Sequence, residues 1–125
     1  MITVGDVPHA PLFPRMAAVV HHAGAGTTTA AVLRAGVPSV PVPVPVSVPV
    51  PVQFGAGFWA ARLVALGTAP RAVPLRRLTA EALAPALRRA TSDPAYRQSA
   101  QALARRPAQG DGAAPVLAAL GRLAP

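Results

Sequence analysis

The stretch AAVVHHAGAGTTTAAVLRAGVPSV, from Ala17 to Val40, limits the possible folds more than any other part of this chain. MAAVV reads as a short buried strand. It runs into two histidines, two glycines one residue apart and three threonines. GTTTAAVLRAG then reads as a short helix closed by Gly36, a residue suited to the position just past a helix C-terminus. VPSV follows as a second strand. A strand, a helix and a strand in so short a span make a compact βαβ unit, the building block of a parallel sheet. The expected fold class is therefore α/β, with short parallel strands and several helices.

The remaining segments frame this unit. Residues 1–16 contain Pro8, Pro11 and Pro14 and read as a loop with at most one short turn. The segment PVPVPVSVPVPV, residues 41–52, is of low complexity. Its prolines fix their own φ and push each preceding residue out of the helical region, so no helix forms there. Prolines at alternate positions strip one edge of an extended chain of N–H donors. The segment is expected as an edge strand, a polyproline-like excursion or an expanded repeat in a loop. GAGFWAARLVAL, residues 55–66, is an amphipathic helix with Gly67 as its stop. Thr79 is placed to cap AEALAPALRRA, with Glu81 favourable in the first turn and Pro85 expected to kink or shorten the helix. Asp93 followed by Pro94 signals another helix start. A last helix is expected from Gly112 to Leu123. Residues 1–125 read as a single partial domain with a low-complexity insert at 41–52.

Composition narrows the function classes. The chain has no cysteine, which removes disulfides and thiolate metal sites. Three histidines with no neighbouring carboxylates do not form a metal-binding pattern, and no metal ligands are assigned. The net charge of +8 comes from twelve arginines against Asp6, Glu81, Asp93 and Asp111. The arginines are dispersed, with doublets only at 76–77, 88–89 and 105–106, as on a solvated surface rather than a nucleic-acid footprint. No run of apolar residues is long enough to span a membrane, and the N-terminus has no signal-peptide pattern, so a cytoplasmic location is expected.

The chemistry sits where the first strand meets the helix. A helix N-terminus preceded by glycines presents unpaired N–H groups and a partial positive charge, which together hold phosphate or another anion. Gly24 and Gly26 let the backbone approach a ligand, Thr27 and Thr28 add hydroxyls, and His22 can donate a ring N–H to a phosphate oxygen. GAGTTT is neither a P-loop nor the dinucleotide fingerprint, because the Gly-Lys pair and the third glycine are missing. On these residues alone, a tight βα turn with a threonine cap is an equal alternative. His21 ends the strand and reads as pointing away from a ligand, and His9 as an exposed loop residue.

Three blocks extend the reading: VPHAPLFPRMAAVVHHAGAGTTTAAVLRAGVPSV, FGAGFWAARLVALG and RRLTAEALAPALRRATSDPAYRQSAQALARR. Together they resemble the C-terminal donor-binding domain of family 1 UDP-glycosyltransferases, of the bacterial antibiotic and sterol glucosyltransferase type. The resemblance covers most of the chain and leaves only the proline–valine insert unexplained. It implies part of the Rossmann-like C-terminal domain of a two-domain GT-B enzyme. The implied activity is metal-free, inverting hexosyl transfer from a UDP-hexose, which is a substrate rather than a cofactor, to a small lipophilic acceptor. His22 would then contact the diphosphate, lined by Gly24, Gly26, Thr27 and Thr28, with Val7, Pro8 and His9 near the nucleobase. Phe58 and Trp59 match an aromatic pair of the family and are expected to pack rather than touch substrate.

Two departures limit what the resemblance implies. The family carries an Asp-Gln pair for the donor sugar's hydroxyls after its Gly-Val-Pro strand, whereas Ala56 and Gly57 stand in that neighbourhood here. A methyl group cannot replace a hydrogen-bonding partner. The family's N-terminal domain and the first strands of its C-terminal domain are also not matched, so no catalytic residue is assigned and the chain by itself is expected to be inactive. Two other classes remain at this point: a noncatalytic module docking through its proline–valine segment, and an arginine-rich nucleic-acid binder.

Overall fold

The computed structural model describes residues 5–43, 55–108 and 114–123. Two strands, β1 (Val19–His21) and β2 (Ser39–Pro41), pair in parallel, with Val19 opposite Ser39, Val20 opposite Val40 and His21 opposite Pro41. Parallel strands cannot be joined by a tight turn, and the crossover between them is helical. After the α1 turn (His9–Leu12), it is α2, which begins as an α-helix over Ala25–Thr28 and continues in wider π-type winding over Thr29–Arg34. The second edge of β2 is also covered. Ser39 N–H donates to Thr68 O, and Val73 and Leu75 N–H donate to the carbonyls of Pro41 and Pro43. Residues 68–75 thus run alongside β2 in the same direction.

Helices cover both faces of this small sheet. On one side Val19 packs with Phe13, Ala31, Val32, Val37, Ala69, Leu63 of α3 (Ala56–Ala65) and Ala100 of α5 (Pro94–Ala108). On the other, Val40, Val42 and Val73 meet Ala86 and Ala90 of α4 (Ala80–Ser92). A final helix, α6, spans Ala114–Leu123. Alanine is the helices' main contribution to the core, which lets helix backbones approach closely but buries little area per residue. Fully burying a valine contributes at least about 1.5 kcal/mol, so Val32, Val37 and Val40, all inaccessible to solvent, carry much of the core. Among the described residues no helix is long and apolar enough to cross a membrane.

Local signals account for the helix boundaries. Thr79 accepts from Ala82 N–H at 3.1 Å, and Asp93 Oδ1 from Ala95 N–H at 2.9 Å, each satisfying a first-turn donor. Pro85 does not break α4, which runs through it to Ser92; its ring sits on the side of the helix near Arg71, whose guanidinium donates to Ala82 O. The N-terminal segment is more helical than a loop. His9–Leu12 and the 3₁₀ turn Phe13–Arg15 follow each other, because Pro11 and Pro14 fall in first turns where a missing N–H costs nothing. Phe13 anchors both turns in the core. Pro41 and Val42, the first residues of the proline–valine segment, belong to the buried end of β2 and its extension; residues 44–52 lie outside the described residues, as do Asp111 and Gly112.

Two contacts with α5 hold the strand–helix–strand unit. Arg97 of α5 donates to the carbonyls of Met16 and Ala17 at 2.8 and 2.9 Å, tying the chain just ahead of the strand to the helix. Just past α2, Gly36 adopts φ +63°, and its N–H reaches Val32 O while Val37 N–H reaches Ala31 O. Both bonds span one residue more than in a Schellman close, as the wider winding requires. A Cβ on Gly36 would lie 3.2 Å from Gln101 Cα and 3.3 Å from its Cγ. Gly67, at φ +68°, would meet only Ser99, at 3.4 Å or more. Urea titration is therefore expected to separate the two. Gly67→Ala should lose roughly 1 kcal/mol from strain alone, and Gly36→Ala on the order of 2–3 kcal/mol from strain plus the collision with α5. Equal losses would contradict this packing.

Candidate functional site

The carboxyl end of β1 leads into four residues of tight backbone. His21 closes the strand, and its carbonyl accepts from Val42 N–H at 2.7 Å. Its ring is buried, and Nδ1 accepts from Ala23 N–H at 3.1 Å, so the remaining ring proton belongs on Nε2. Burial, followed by the neighbouring His22, lowers the His21 pKa from 6.5 to about 4. Ala23 is fully buried at φ +62°, the only non-glycine residue in the left-handed region among those described. Gly24 then returns to extended backbone and caps α2.

This turn sets the geometry of the start of α2. Thr28 N–H closes the first helical bond, to Gly24 O at 3.0 Å, which leaves the N–H groups of Ala25, Gly26 and Thr27 without helical acceptors. No side chain caps them, and Ala25 and Gly26 are exposed. The exposed His22 ring lies over the α-carbon of Gly24. A Cβ there would fall inside contact distance of Nε2 and lie 3.0 Å from Cδ2. A Cβ on Gly26 would meet nothing within 4 Å. The two glycines thus differ in kind: the first makes room for His22, and the second leaves the helix start uncovered.

The structure brings His22, Gly24, Gly26 and Thr27 to one turn. Thr28 belongs to the same turn but faces inward. It is buried, and its Oγ1 has no hydrogen-bond partner among the described residues, as is true of His21 Nε2 and Trp59 Nε1. Val7, Pro8 and His9 are exposed at the start of α1. The His9 ring stacks on Phe13 with centroids 4.4 Å apart, and it lines a separate cleft of about 290 Å³ with Ala10, Pro14, Ala30, Arg34 and Ala35. No residue of 21–28 lines that cleft. Ala56 and Gly57 form the first turn of α3, close to α2, and supply no polar side chain there. Behind them Phe58 and Trp59 contact each other edge to face at 5.4 Å, with Phe58 largely exposed. Sequence reasoning missed His21 and Ala23. The alternation along a strand whose first residue, Val19, faces the core was the available signal for a buried His21.

Paired parallel strands with helices on both faces, and an exposed glycine-containing turn at a strand's carboxyl end, define a partial Rossmann-like domain of the GT-B glycosyltransferase type. Solved structures that share it include two glycosyltransferases. The glycosyltransferase VinC, crystallised with dTDP, superposes with TM-score 0.68 at 31% identity over 82% of this chain and 23% of its own. The glycotransferase of kitacinnamycin gives TM-score 0.76 at 25% identity over 95% of this chain and 28% of its own. Among sequence relatives, O-mycaminosyltylonolide 6-deoxyallosyltransferase of Streptomyces fradiae is 48% identical over 102 residues, 82% of this chain. A sterol 3-beta-glucosyltransferase of Saccharomyces cerevisiae is 35% identical over 120 residues, 96% of this chain. The chain spans only 22% and 9% of the lengths of these two relatives. Residues 1–118 match the C-terminal domain of erythromycin biosynthesis protein CIII-like proteins, and the chain belongs to that family.

The low His21 pKa sets a direction for acid stability. As pH falls, the unfolded chain protonates this histidine near 6.5 and the folded one near 4. Its contribution to stability is complete above pH 6.5, declines between 6.5 and about 4, and is constant below. Thermal melts across that window are expected to show this fall, and His21→Asn, which has no titrating ring, should show a shallower one.

Proposed function

We propose that this chain is the donor-binding part of a glycosyltransferase and holds the diphosphate of a nucleotide-sugar at the turn from His22 to Thr27. The observation that carries the reading is the open start of α2: three N–H groups without helical acceptors, beside an exposed histidine that Gly24 admits. In hexosyl transfer the glycosidic C–O bond to the diphosphate breaks while an acceptor oxygen bonds to the anomeric carbon, and negative charge grows on the leaving phosphate. Fixed N–H donors and a ring N–H aimed at that charge favour the transition state over the ground state. The nucleobase is uracil or thymine; the dTDP bound by VinC supports thymine, and the resemblance to UDP-dependent enzymes supports uracil. A sterol and a tylonolide in the names of two relatives support a lipophilic acceptor. The acceptor pocket and the base that deprotonates it are assigned to the rest of a protein of the relatives' length.

The phosphate end and the sugar end of this site are unequal. Ala56 and Gly57 at the start of α3 offer sugar hydroxyls no side-chain partner. Calorimetry of the 125-residue chain is expected to give weak binding of UDP or dTDP, with Kd above about 100 μM, and no gain from an attached hexose. His22→Ala and Gly24→Ala should abolish the heat. Gly26→Ala should weaken binding yet leave the melting temperature unchanged or raised, because alanine favours the helix by about 1 kcal/mol and its methyl meets no neighbour. Micromolar affinity requiring an intact sugar would contradict this reading, as would binding indifferent to His22.

A second measurement concerns turnover. The chain alone is expected to release no nucleoside diphosphate in an acceptor-dependent way. Acceptor-dependent release that disappears in His22→Ala would mean that the acceptor and base functions lie within these 125 residues.

A further inference from the structure

We propose that His21 is a positioning residue for the diphosphate turn: by accepting the Ala23 N–H, its Nδ1 holds Ala23 in left-handed backbone and so fixes His22 and the start of α2. The inference rests on the donor-site reading above. It gives a role to the neighbouring histidine, which faces the interior and does not touch the ligand.

The geometry leaves His21 little freedom. Its backbone is held in the sheet opposite Pro41, with its carbonyl bonded to Val42 N–H, so the strand sets where the ring enters the core. The ring is buried, and it spans two residues forward to meet the Ala23 N–H at 3.1 Å. Ala23 needs such support. An L-residue at φ +62° is in a conformation that only glycine adopts freely, and Ala23 stands between a strand and a helix that both fix their own ends. Once Ala23 is turned, Gly24 passes beneath the His22 ring with no room for a Cβ. A rotation of the Ala23 peptide would move the ring and the first N–H groups of α2 together. Misplacement by about 1 Å is enough to cost a preorganised site much of its function. A histidine that merely filled core volume would not have to face this particular N–H.

The experiment uses the proposed cause. Glycine at position 23 takes up the left-handed conformation unaided, so it should make His21 dispensable. With UDP and dTDP as the titrants, His21→Leu, which fills the space without an acceptor, is expected to weaken binding about tenfold. His21→Asn, which restores an acceptor near the place of Nδ1, should stay within about threefold of the parent chain, and Ala23→Gly in the His21→Leu background should recover to the same range. A core-filling role predicts no rescue by glycine at 23, and the absence of rescue overturns the proposal. So does unchanged binding in His21→Leu.

A ligand-free arm separates this inference from the donor-site reading. If the parent chain binds neither nucleotide, that reading fails, and amide hydrogen exchange at Ala23 together with the ring resonances of His22 then decides the inference. His21→Leu should speed the Ala23 exchange about tenfold and shift the His22 resonances, and the added Ala23→Gly should return the latter. Identical exchange and resonances in His21→Leu overturn the proposal. If His21→Leu does not fold, recovery of folding by Ala23→Gly supports it; failure of the double variant to fold while His21→Asn folds overturns it.

Discussion

The parallel pairing of β1 with β2 is the constraint on which everything else depends. Three residues against three is a short ladder, and it survives because its β2 edge and its faces are covered: residues 68–75 run along β2, α2, α3 and α5 pack on one face, and α4 on the other. Parallel strands require a crossover, and a right-handed helical crossover starts at the carboxyl end of the first strand. The open N-terminus of α2 therefore appears beside His22 as a consequence of topology. Arg97, bonded to Met16 and Ala17 just ahead of β1, and Gly36, just past α2 and in contact distance of α5, hold the strand–helix–strand unit at two points against the same helix.

The core that supports this arrangement is small-residue packing. Ala31, Ala60, Ala69, Ala86, Ala90 and Ala100 are buried with little area each, and the valines between them supply most of the apolar surface. Close helix approach compensates in dispersion for what is missing in area. The same closeness explains why Gly36 faces α5 without a side chain. Against this thin core, the buried polar atoms of His21, Thr28, Ser39 and Trp59 that find no partner among the described residues weigh heavily, since each such group costs roughly 1–3 kcal/mol where no partner reaches it. Three of the four lie on β1, α2 and α3, the elements around the proposed donor site.

Much of the fold was legible in the sequence because its signals were local. Gly36 and Gly67 at positive φ, Thr79 and Asp93 as caps, and the strand–helix–strand order from Val19 to Pro41 all follow from single residues and short periods. The helical turns of residues 9–15 were not legible. Pro8, just ahead of that stretch, and Pro11 and Pro14 within it argue for a loop until Phe13, docking into the core from a long-range contact, stabilises the turns. Pro85 does not shorten α4, because the rest of the helix holds against the sheet on both sides of it. At the site, the glycine and threonine pattern pointed to His22 and the helix start. It did not point to the inward-facing Thr28, which depends on which side of α2 packs inward, or to the buried ring of His21, which depends on which face of a three-residue strand meets the core.

Ala23 shows how the strain at this turn is carried. Left-handed backbone costs an L-residue about 1–2 kcal/mol. Its hydrogen bond to His21 returns about 0.5–1.5 kcal/mol, and the buried methyl about 0.8 kcal/mol. Glycine would remove the strain but also the methyl, and would lose a further 0.5–1 kcal/mol or so of chain entropy on folding. The two residues come out nearly even in stability while His21 is present, so thermodynamics of the fold alone does not explain the pairing of a buried histidine with a strained alanine. Orientation does: without the ring that holds its N–H, an alanine would leave the left-handed region. The bond to a ring fixed in the sheet thus keeps the N–H groups of α2 aimed at a phosphate, and the strain sits one residue from the side chain whose placement matters most.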